Sequence, residues 1–181
     1  MTKEKLKLLA PYAGLPLLAI ALLVLRLHSL SPLILLQREL LLGFGYVLAV
    51  TDLRKRIVPN QLVLALLLCW CLTVIPSLFS DIEGTLTLLK SSAIGFFLGG
   101  GLFLLIYFIS KGGLGGGDVK LVAVMGLYLG LNGILPALLL GSILAALFCL
   151  VMVFLKKLGR KDAIPLVPFL YLGALIPIFF L

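Results

Sequence analysis

Apolar runs recur along the whole chain and constrain its fold more than any other feature. They cover residues 8–25, 33–50, 62–79, 93–109, 119–131, 134–155 and 165–181. Hydrophobic residues make up 62% of the chain, whereas a soluble domain has about 45–50% and too little interior to bury the surplus. A helix of about 20 apolar residues spans the hydrocarbon core of a bilayer. The sequence therefore predicts an all-α, polytopic transmembrane helical bundle of about seven spans.

The polar segments between these runs are short. They cover residues 51–61, 80–92, 110–118 and 156–164, which leaves no room for a separate soluble domain. The first run lacks a small-residue cleavage site and leads directly into a second run, unlike a secretory signal peptide. We therefore expect a single membrane domain over residues 1–181, with an extra leading helix in 1–30 and a six-helix core in 31–181.

The distribution of basic residues predicts the orientation in the membrane. Twelve of the 15 Lys and Arg fall on the side that carries the N-terminus and the segments 51–61, 110–120 and 156–164. The other three are Arg26, Arg38 and Lys90. Because basic residues concentrate in cytoplasmic loops, we expect a multi-pass protein of the cell (plasma or inner) membrane with its N-terminus inside. The net charge of +8 then reflects topology and attraction to anionic membrane lipids.

Several classes of site and partner are disfavoured. No basic patch is interleaved with aromatic residues, so we expect no nucleic-acid partner. Cys69, Cys71 and Cys149 lie within apolar runs and form no C-x-x-C pair, and we expect no metal site and no cofactor. The single histidine, His28, lies in a predicted outer loop, which argues against zinc peptidase chemistry. The oligomeric state is not indicated.

Two of the seven carboxylates stand apart from the others. Asp52 ends the second apolar run and Asp118 opens the fifth, and the predicted topology puts both toward the cytoplasmic side. Ionisable groups at membrane depth are costly and usually functional. The alternative is that both aspartates merely anchor helix ends at the interface. The other five carboxylates lie in loops or beside basic residues and are expected to be solvated or locally paired.

The fifth run is too short to cross the bilayer from surface to surface. Residues 119–131 form about 20 Å of helix, against a hydrocarbon core of about 30 Å, so Asp118 is expected to lie below the inner surface, with the outer turn at Asn132-Gly133. Five of the six residues 112–117 are glycine. Glycine permits positive φ and close backbone approach, which suits an irregular loop that admits an extended peptide. A flexible connector is the alternative interpretation.

Two neighbouring aspartates are typical of aspartic peptidases. Two close carboxylates share one proton, because they cannot both ionise comfortably. The ionised carboxylate can act as a base on water, while the protonated one polarises the peptide carbonyl and later supplies a proton. The pair titrates as a unit, so the sequence assigns no separate roles.

Three segments, in order, resemble the prepilin and preflagellin peptidase family of G-x-G-D intramembrane aspartic proteases. Residues 52–60, Asp-Leu-Arg-Lys-Arg-Ile-Val-Pro-Asn, resemble its first motif, with Val58 where isoleucine is usual. Residues 115–121, Gly-Gly-Gly-Asp-Val-Lys-Leu, resemble its G-x-G-D motif, followed by Met125-Gly126 and Leu129-Gly130. Residues 164–170, Ile-Pro-Leu-Val-Pro-Phe-Leu, resemble its closing segment.

The resemblance implies a membrane-embedded aspartic endopeptidase. It would remove short basic leaders, usually after a glycine, from pilin, pseudopilin or archaellin precursors at the cytoplasmic face. Asp52 and Asp118 match the catalytic positions, and we expect Gly115, Gly116, Gly117 and Lys120 to bind substrate or shape the loop. For Lys120 a contact with lipid or a loop-stabilising role is favoured, although its charge would also favour ionisation of the aspartate pair. The paired C-x-x-C motifs of large bifunctional members are missing here, so we expect cleavage without N-methylation.

Two other classes of function stay open at this stage. A proton-coupled membrane transporter would also use intramembrane carboxylates such as Asp52 and Asp118, but it favours carboxylates near mid-bilayer and an inverted repeat. An inert assembly subunit of a secretion or pilus machine would need neither aspartate.

Overall fold

A computed structural model describes residues 14–26, 31–111, 113–156 and 164–180. Within these ranges the chain forms helices joined by short turns, with no β-strand. The helices are α1 (Gly14–Arg26), α2 (Pro32–Lys55), α3 (Asn60–Ser80), α4 (Ile82–Ile109), α5 (Gly116–Phe154) and α6 (Val167–Phe180). His28, the N-terminal lysines, Gly112 and Asp162 lie outside the described residues.

Helix α5 is two antiparallel arms joined at Gly130. This residue has φ 61° and ψ −170°, a combination that essentially only glycine adopts. A Cβ added to Gly99 of α4 would meet both Val122 and Ile134 at 3.0–3.2 Å. Those two residues would be about 18 Å apart along one straight helix, so the chain must reverse between them. The first arm (116–129) therefore runs antiparallel to α4, and the second arm (131–154) runs parallel to it.

Helices α2 and α6 are antiparallel, which defines two ends of the bundle. The carboxylate of Asp52, near the C-terminus of α2, accepts a hydrogen bond from the N–H of Val167, the first residue of α6. At the other end, Arg38 of α2 donates to the carbonyl of Ile178, and Arg26 of α1 donates to that of Phe179. These arginines cap carbonyls that the end of α6 leaves unpaired. We call the two ends the aspartate end and the arginine end.

The surface of the bundle is apolar, as a lipid-facing surface must be. Buried side chains from α2, α5 and α6, such as Leu48, Leu121 and Leu170, form the interior. Large apolar side chains also face outward, and Phe79, Phe154 and Phe180 are each more than three-quarters exposed. Such extensive apolar exposure marks a surface that is covered by membrane or by partners.

The structure confirms the predicted all-α polytopic membrane bundle. Four helices of the described part are long and apolar enough to cross a membrane, namely α2 to α5, and α1 and α6 are shorter apolar helices. With α5 divided at Gly130, the described residues contain seven apolar helical segments. Two local predictions were wrong. The segment 80–92 is not a loop, because α4 begins at Ile82, capped by the carboxylate of Asp81. The outer turn lies at Gly130 and not at Asn132-Gly133.

Candidate active site

Asp52 lies in the last turn of α2 and is buried, with 5% of its surface exposed. The helix ends directly after it, because Arg56 adopts the left-handed conformation and donates its N–H to the carbonyl of Asp52 at 2.8 Å. Val58 precedes a proline, which disfavours helical backbone at that position. Pro59 then serves as the N-cap of α3. This tight turn fixes Asp52 at the boundary between two helices.

The start of α6 holds the Asp52 carboxylate in place. It accepts hydrogen bonds from the backbone N–H groups of Leu166 and Val167, the latter at 3.1 Å. The first N–H groups of a helix have no partner within the helix, and a carboxylate is a favourable partner for them. Pro165 and Pro168 flank this pair in the third motif. The sequence identified this segment as the third motif but did not predict that its backbone N–H groups contact Asp52.

Asp118 occupies the first turn of α5 and is half-buried. Its carboxylate accepts a hydrogen bond from the backbone N–H of Gly115, the N-cap residue. This is the reciprocal contact of a capping box, in which the third helical residue reaches back to the N-cap. The local helix start therefore orients the side chain.

The fold brings the two aspartates together from different helices. Asp118 lies near enough to Asp52 for their carboxylates to interact electrostatically. A Cβ on Gly117 would lie 2.8 Å from Cβ of Val58, so the turn that follows Asp52 packs directly against the start of α5. Two acidic side chains at one site are candidates for paired acid and base chemistry.

The glycine segment differs in part from the prediction. Residues 113–115 are irregular, as expected, but Gly116 and Gly117 already belong to α5. Among the described glycines only Gly130 has positive φ, so φ freedom does not explain this cluster. Close approach explains Gly115 and Gly117, whose added Cβ atoms would meet Asp118 and Val58 at 2.8 Å, but not Gly116, whose added Cβ would meet no atom within 4 Å.

Lys120 joins two of the sequence motifs. Its Nζ donates to Oδ1 of Asn60 at 3.2 Å, and both residues are exposed. Asn60 ends the first motif and begins α3, whereas Lys120 is two residues beyond Asp118. The expected structural role of Lys120 thus has a specific partner. Asn60 was part of the motif but had been given no role of its own.

Asp118 lies deeper in the bundle than the C-terminal end of α4. Leu104 of α4 and Val119 line the same groove, and α4 continues to Ile109. Those five further residues extend about 8 Å. The first arm of α5 has 14 residues and a length of about 21 Å, shorter than a hydrocarbon core of about 30 Å. Asp118 is therefore recessed from the helix ends that surround it.

A search of known protein families gives a match that includes both aspartates. A model of the type IV leader peptidase family matches residues 39–150. This chain belongs to the type IV leader peptidase family. The match covers most of α2, all of α3 and α4, and most of α5. The third motif lies beyond it, although its backbone contacts Asp52.

Curated proteins that are similar to this leader peptidase family member carry the name prepilin leader peptidase/N-methyltransferase. The protein from Bacillus subtilis (strain 168) is 30% identical over 131 residues, which are 72% of this chain and 50% of the relative. The protein from Xanthomonas campestris pv. campestris is 31% identical over 129 residues, which are 71% and 44% of the two chains. The chain thus spans half or less of the length of these relatives. No solved structure matches it significantly.

Proposed function

We propose that this protein is a membrane-embedded aspartic endopeptidase that removes short basic leaders from type IV prepilin-like precursors. The observation that carries the proposal is the approach of Asp52 and Asp118, two carboxylates that separate helices bring to one end of the bundle. Membership of the leader peptidase family and the name of the relatives support the same activity. Pilin, pseudopilin and archaellin precursors are the candidate substrates.

The proposed mechanism is hydrolysis of the leader's peptide bond by water. One carboxylate of the pair removes a proton from water as the oxygen attacks the peptide carbonyl, and the protonated partner hydrogen-bonds to the carbonyl oxygen. Collapse of the tetrahedral intermediate releases the amine, which takes up a proton from the pair. The N–H groups of Leu166 and Val167 hold Asp52, and that of Gly115 holds Asp118, so both carboxylates are oriented before the substrate arrives.

We further propose that residues 31–181 form the peptidase core as a single domain and that residues 1–30 contribute an additional leading helix. The described part of that helix packs on the core, since Leu22 is fully buried and Arg26 bonds the end of α6. Cleavage without N-methylation is part of the proposal. The three cysteines of this sequence form no C-x-x-C pair.

The proposed location is the cell membrane, with the aspartate end at the cytoplasmic face. Helix directions support this orientation. The described basic residues at the aspartate end are Arg54, Lys55, Arg56, Lys111, Lys120 and Lys156, whereas Arg26, Arg38 and Lys90 lie toward the arginine end. Basic residues favour the cytoplasmic side and its anionic lipids. A proton-coupled transporter is not favoured, because both aspartates lie at one end of the bundle and the family is one of peptidases.

A cleavage assay in membranes tests the function. A panel of prepilin-like precursors would be co-expressed with this protein, and the products would be followed by gel mobility and mass. We expect at least one precursor to lose its leader after a glycine and to gain a free N-terminus without an added methyl group. Intact precursors across the panel, with the protein shown to be inserted in the membrane, would contradict the proposal.

A further inference from the structure

Helix α6 has few polar groups with which to hold its position in the bundle. Its 14 residues, Val167–Phe180, include one polar side chain, that of Tyr171. The hydroxyl of Tyr171 is buried and has no hydrogen-bond partner within the described part of the chain. Along its length α6 packs through apolar residues such as Leu170 and Ala174, and the hydrogen bonds that tie it to other helices lie at its two ends.

Apolar packing leaves α6 able to slide along its neighbours. Where α6 meets the second arm of α5, Gly173 lies against Gly141, and a Cβ added to either would collide with the backbone of the other helix. Small residues bring membrane helices close together but supply no side chain that interlocks with the partner. Packed helices shift past one another by about 1–2 Å in known conformational transitions. A hydrogen bond of 3.1 Å, such as that from Val167 to Asp52, is lost when its two atoms move about 0.5 Å further apart.

Two arginines hold the C-terminal end of α6. Arg38 of α2 donates from Nη1 to the carbonyl of Ile178 at 2.9 Å, and Arg26 of α1 donates from Nε to the carbonyl of Phe179 at 2.6 Å. Hydrogen bonds from a charged donor are stronger than those between neutral groups, and both arginines are partly buried. Because α2 also carries Asp52, it is tied to α6 at both ends, over about 21 Å of α2 and about 16 Å of α6.

We propose that Arg26 and Arg38 are positioning residues of the aspartate site that act through α6. By holding the last carbonyls of α6, they fix where this helix lies along α2 and thereby place its first N–H groups on Asp52. Both arginines precede residues 39–150, which the family model matches. The inference rests on the proposed peptidase function and gives the leading helix α1, which carries Arg26, a part in that function.

Hydrogen–deuterium exchange tests the positioning without any substrate. The unmodified protein would be compared in lipid nanodiscs with Arg38→Met and Arg26→Met, which remove the donors, and with Arg38→Lys, which keeps one. Lys90→Met is the matched control, because Lys90 is an exposed basic residue toward the same end of the bundle. In both arginine-to-methionine variants we expect the amides of residues 164–170 to exchange about threefold faster or more, since an amide exchanges when its hydrogen bond opens. Arg38→Lys and Lys90→Met should exchange as the unmodified protein does.

Two results of the exchange measurement would overturn the inference. Unchanged exchange at residues 164–170 in Arg38→Met and Arg26→Met would show that the arginines do not fix the start of α6. Equally faster exchange at residues 96–106 of α4 would show that the bundle loosens as a whole, so that the arginines stabilise it without positioning α6.

Cleavage of a precursor in membranes tests the link to the aspartate site. Arg38→Met should lower the rate about tenfold, because small misplacements of reacting groups have large effects on rate, and Arg38→Lys should stay within about twofold of the unmodified protein. The Val167→Pro variant already lacks one donor to Asp52. In that background Arg38→Met should cost about threefold or less, whereas distant residues that act independently would show the same loss in both backgrounds. An equal loss in the two backgrounds would overturn the link.

The two measurements separate this inference from the peptidase function. If the unmodified protein cleaves no precursor, the proposed function fails, and the exchange of residues 164–170 still decides whether the arginines position α6. If the unmodified protein cleaves and Arg38→Met cleaves at the same rate, the inference is wrong while the peptidase stands.

Discussion

At the scale of single residues, backbone N–H groups hold the two aspartates in place. Asp52 accepts from Leu166 and Val167, and Asp118 accepts from Gly115. Backbone donors orient a carboxylate without neutralising it by an ion pair, which leaves the aspartates free to exchange protons with water and substrate. The hydrogen bond from Lys120 to Asn60, which also joins two motifs, does not involve either aspartate.

The Lys120–Asn60 hydrogen bond is expected to position the start of α5 relative to α3. We predict that Lys120→Met and Asn60→Ala each lower the rate of leader removal about three- to tenfold, the range expected for a partly exposed, charge-assisted hydrogen bond. The double variant should be no slower than the slower single variant, because both changes remove the same contact. Initial rates in membranes at matched protein levels test this, with Lys111→Met as a control. Rates that fall multiplicatively would show that the two residues act independently.

Much of the site could be predicted at this scale, and the missing part has a physical reason. Asp52 and Asp118 could be identified from the sequence because ionisable residues are rare in apolar runs. The backbone N–H donors of residues 166 and 167 could not be identified in this way. Every residue except proline has an N–H, and the contact to Asp52 spans 115 positions. Gly116 and Gly117 were predicted as loop because glycine permits positive φ and close backbone approach, yet they begin α5, where the close approach of Val58 leaves room only for a small residue at Gly117.

At the scale of elements, the N-terminus of α6 connects the third motif to the site. Its unpaired N–H groups meet Asp52 across the bundle, so the placement of α6 and the orientation of the aspartate depend on each other. Pro168 follows the two donors and cannot donate itself.

Replacing Val167 tests this connection. Val167→Pro removes the N–H that donates to Asp52 at 3.1 Å, while proline is well tolerated at the first position of a helix. We predict that cleavage falls about tenfold or more, as expected for a lost hydrogen bond to a charged group. Val167→Ala is the matched control, because it also trims the side chain but keeps the N–H. Equal losses in the two variants, measured at equal membrane insertion, would assign the effect to packing instead.

At the scale of the whole molecule, the apolar runs predicted the number and class of helical segments. They did not predict which helices pack against each other. The reversal within α5 was predicted two residues too late, because Asn-Gly is a common turn signal and the isolated Gly130 is not. The antiparallel pairing of α2 with α6, which completes the site, depends on contacts far apart in sequence and leaves no periodic pattern.

The proposed topology predicts which end of the bundle faces the cytoplasm. In a variant with the three native cysteines replaced by alanine, we would introduce Lys55→Cys at the aspartate end or Glu83→Cys at the arginine end, both at exposed positions. A membrane-impermeant thiol reagent should label position 83 in intact cells and position 55 only after the membrane is opened. The reverse pattern would place the aspartates on the outer side and would contradict the proposed cytoplasmic cleavage.

The central claim is that Asp52 and Asp118 together hydrolyse the leader's peptide bond. The most direct measurement compares the unmodified protein with Asp52→Asn, Asp118→Asn and the exposed control Glu83→Gln in cleavage of one precursor in membranes. Asparagine keeps the shape of aspartate but cannot carry the shared proton, so each aspartate variant should insert normally and lose at least about 99% of the cleavage rate, while Glu83→Gln cleaves as the unmodified protein does. Normal cleavage by either aspartate variant would contradict the account.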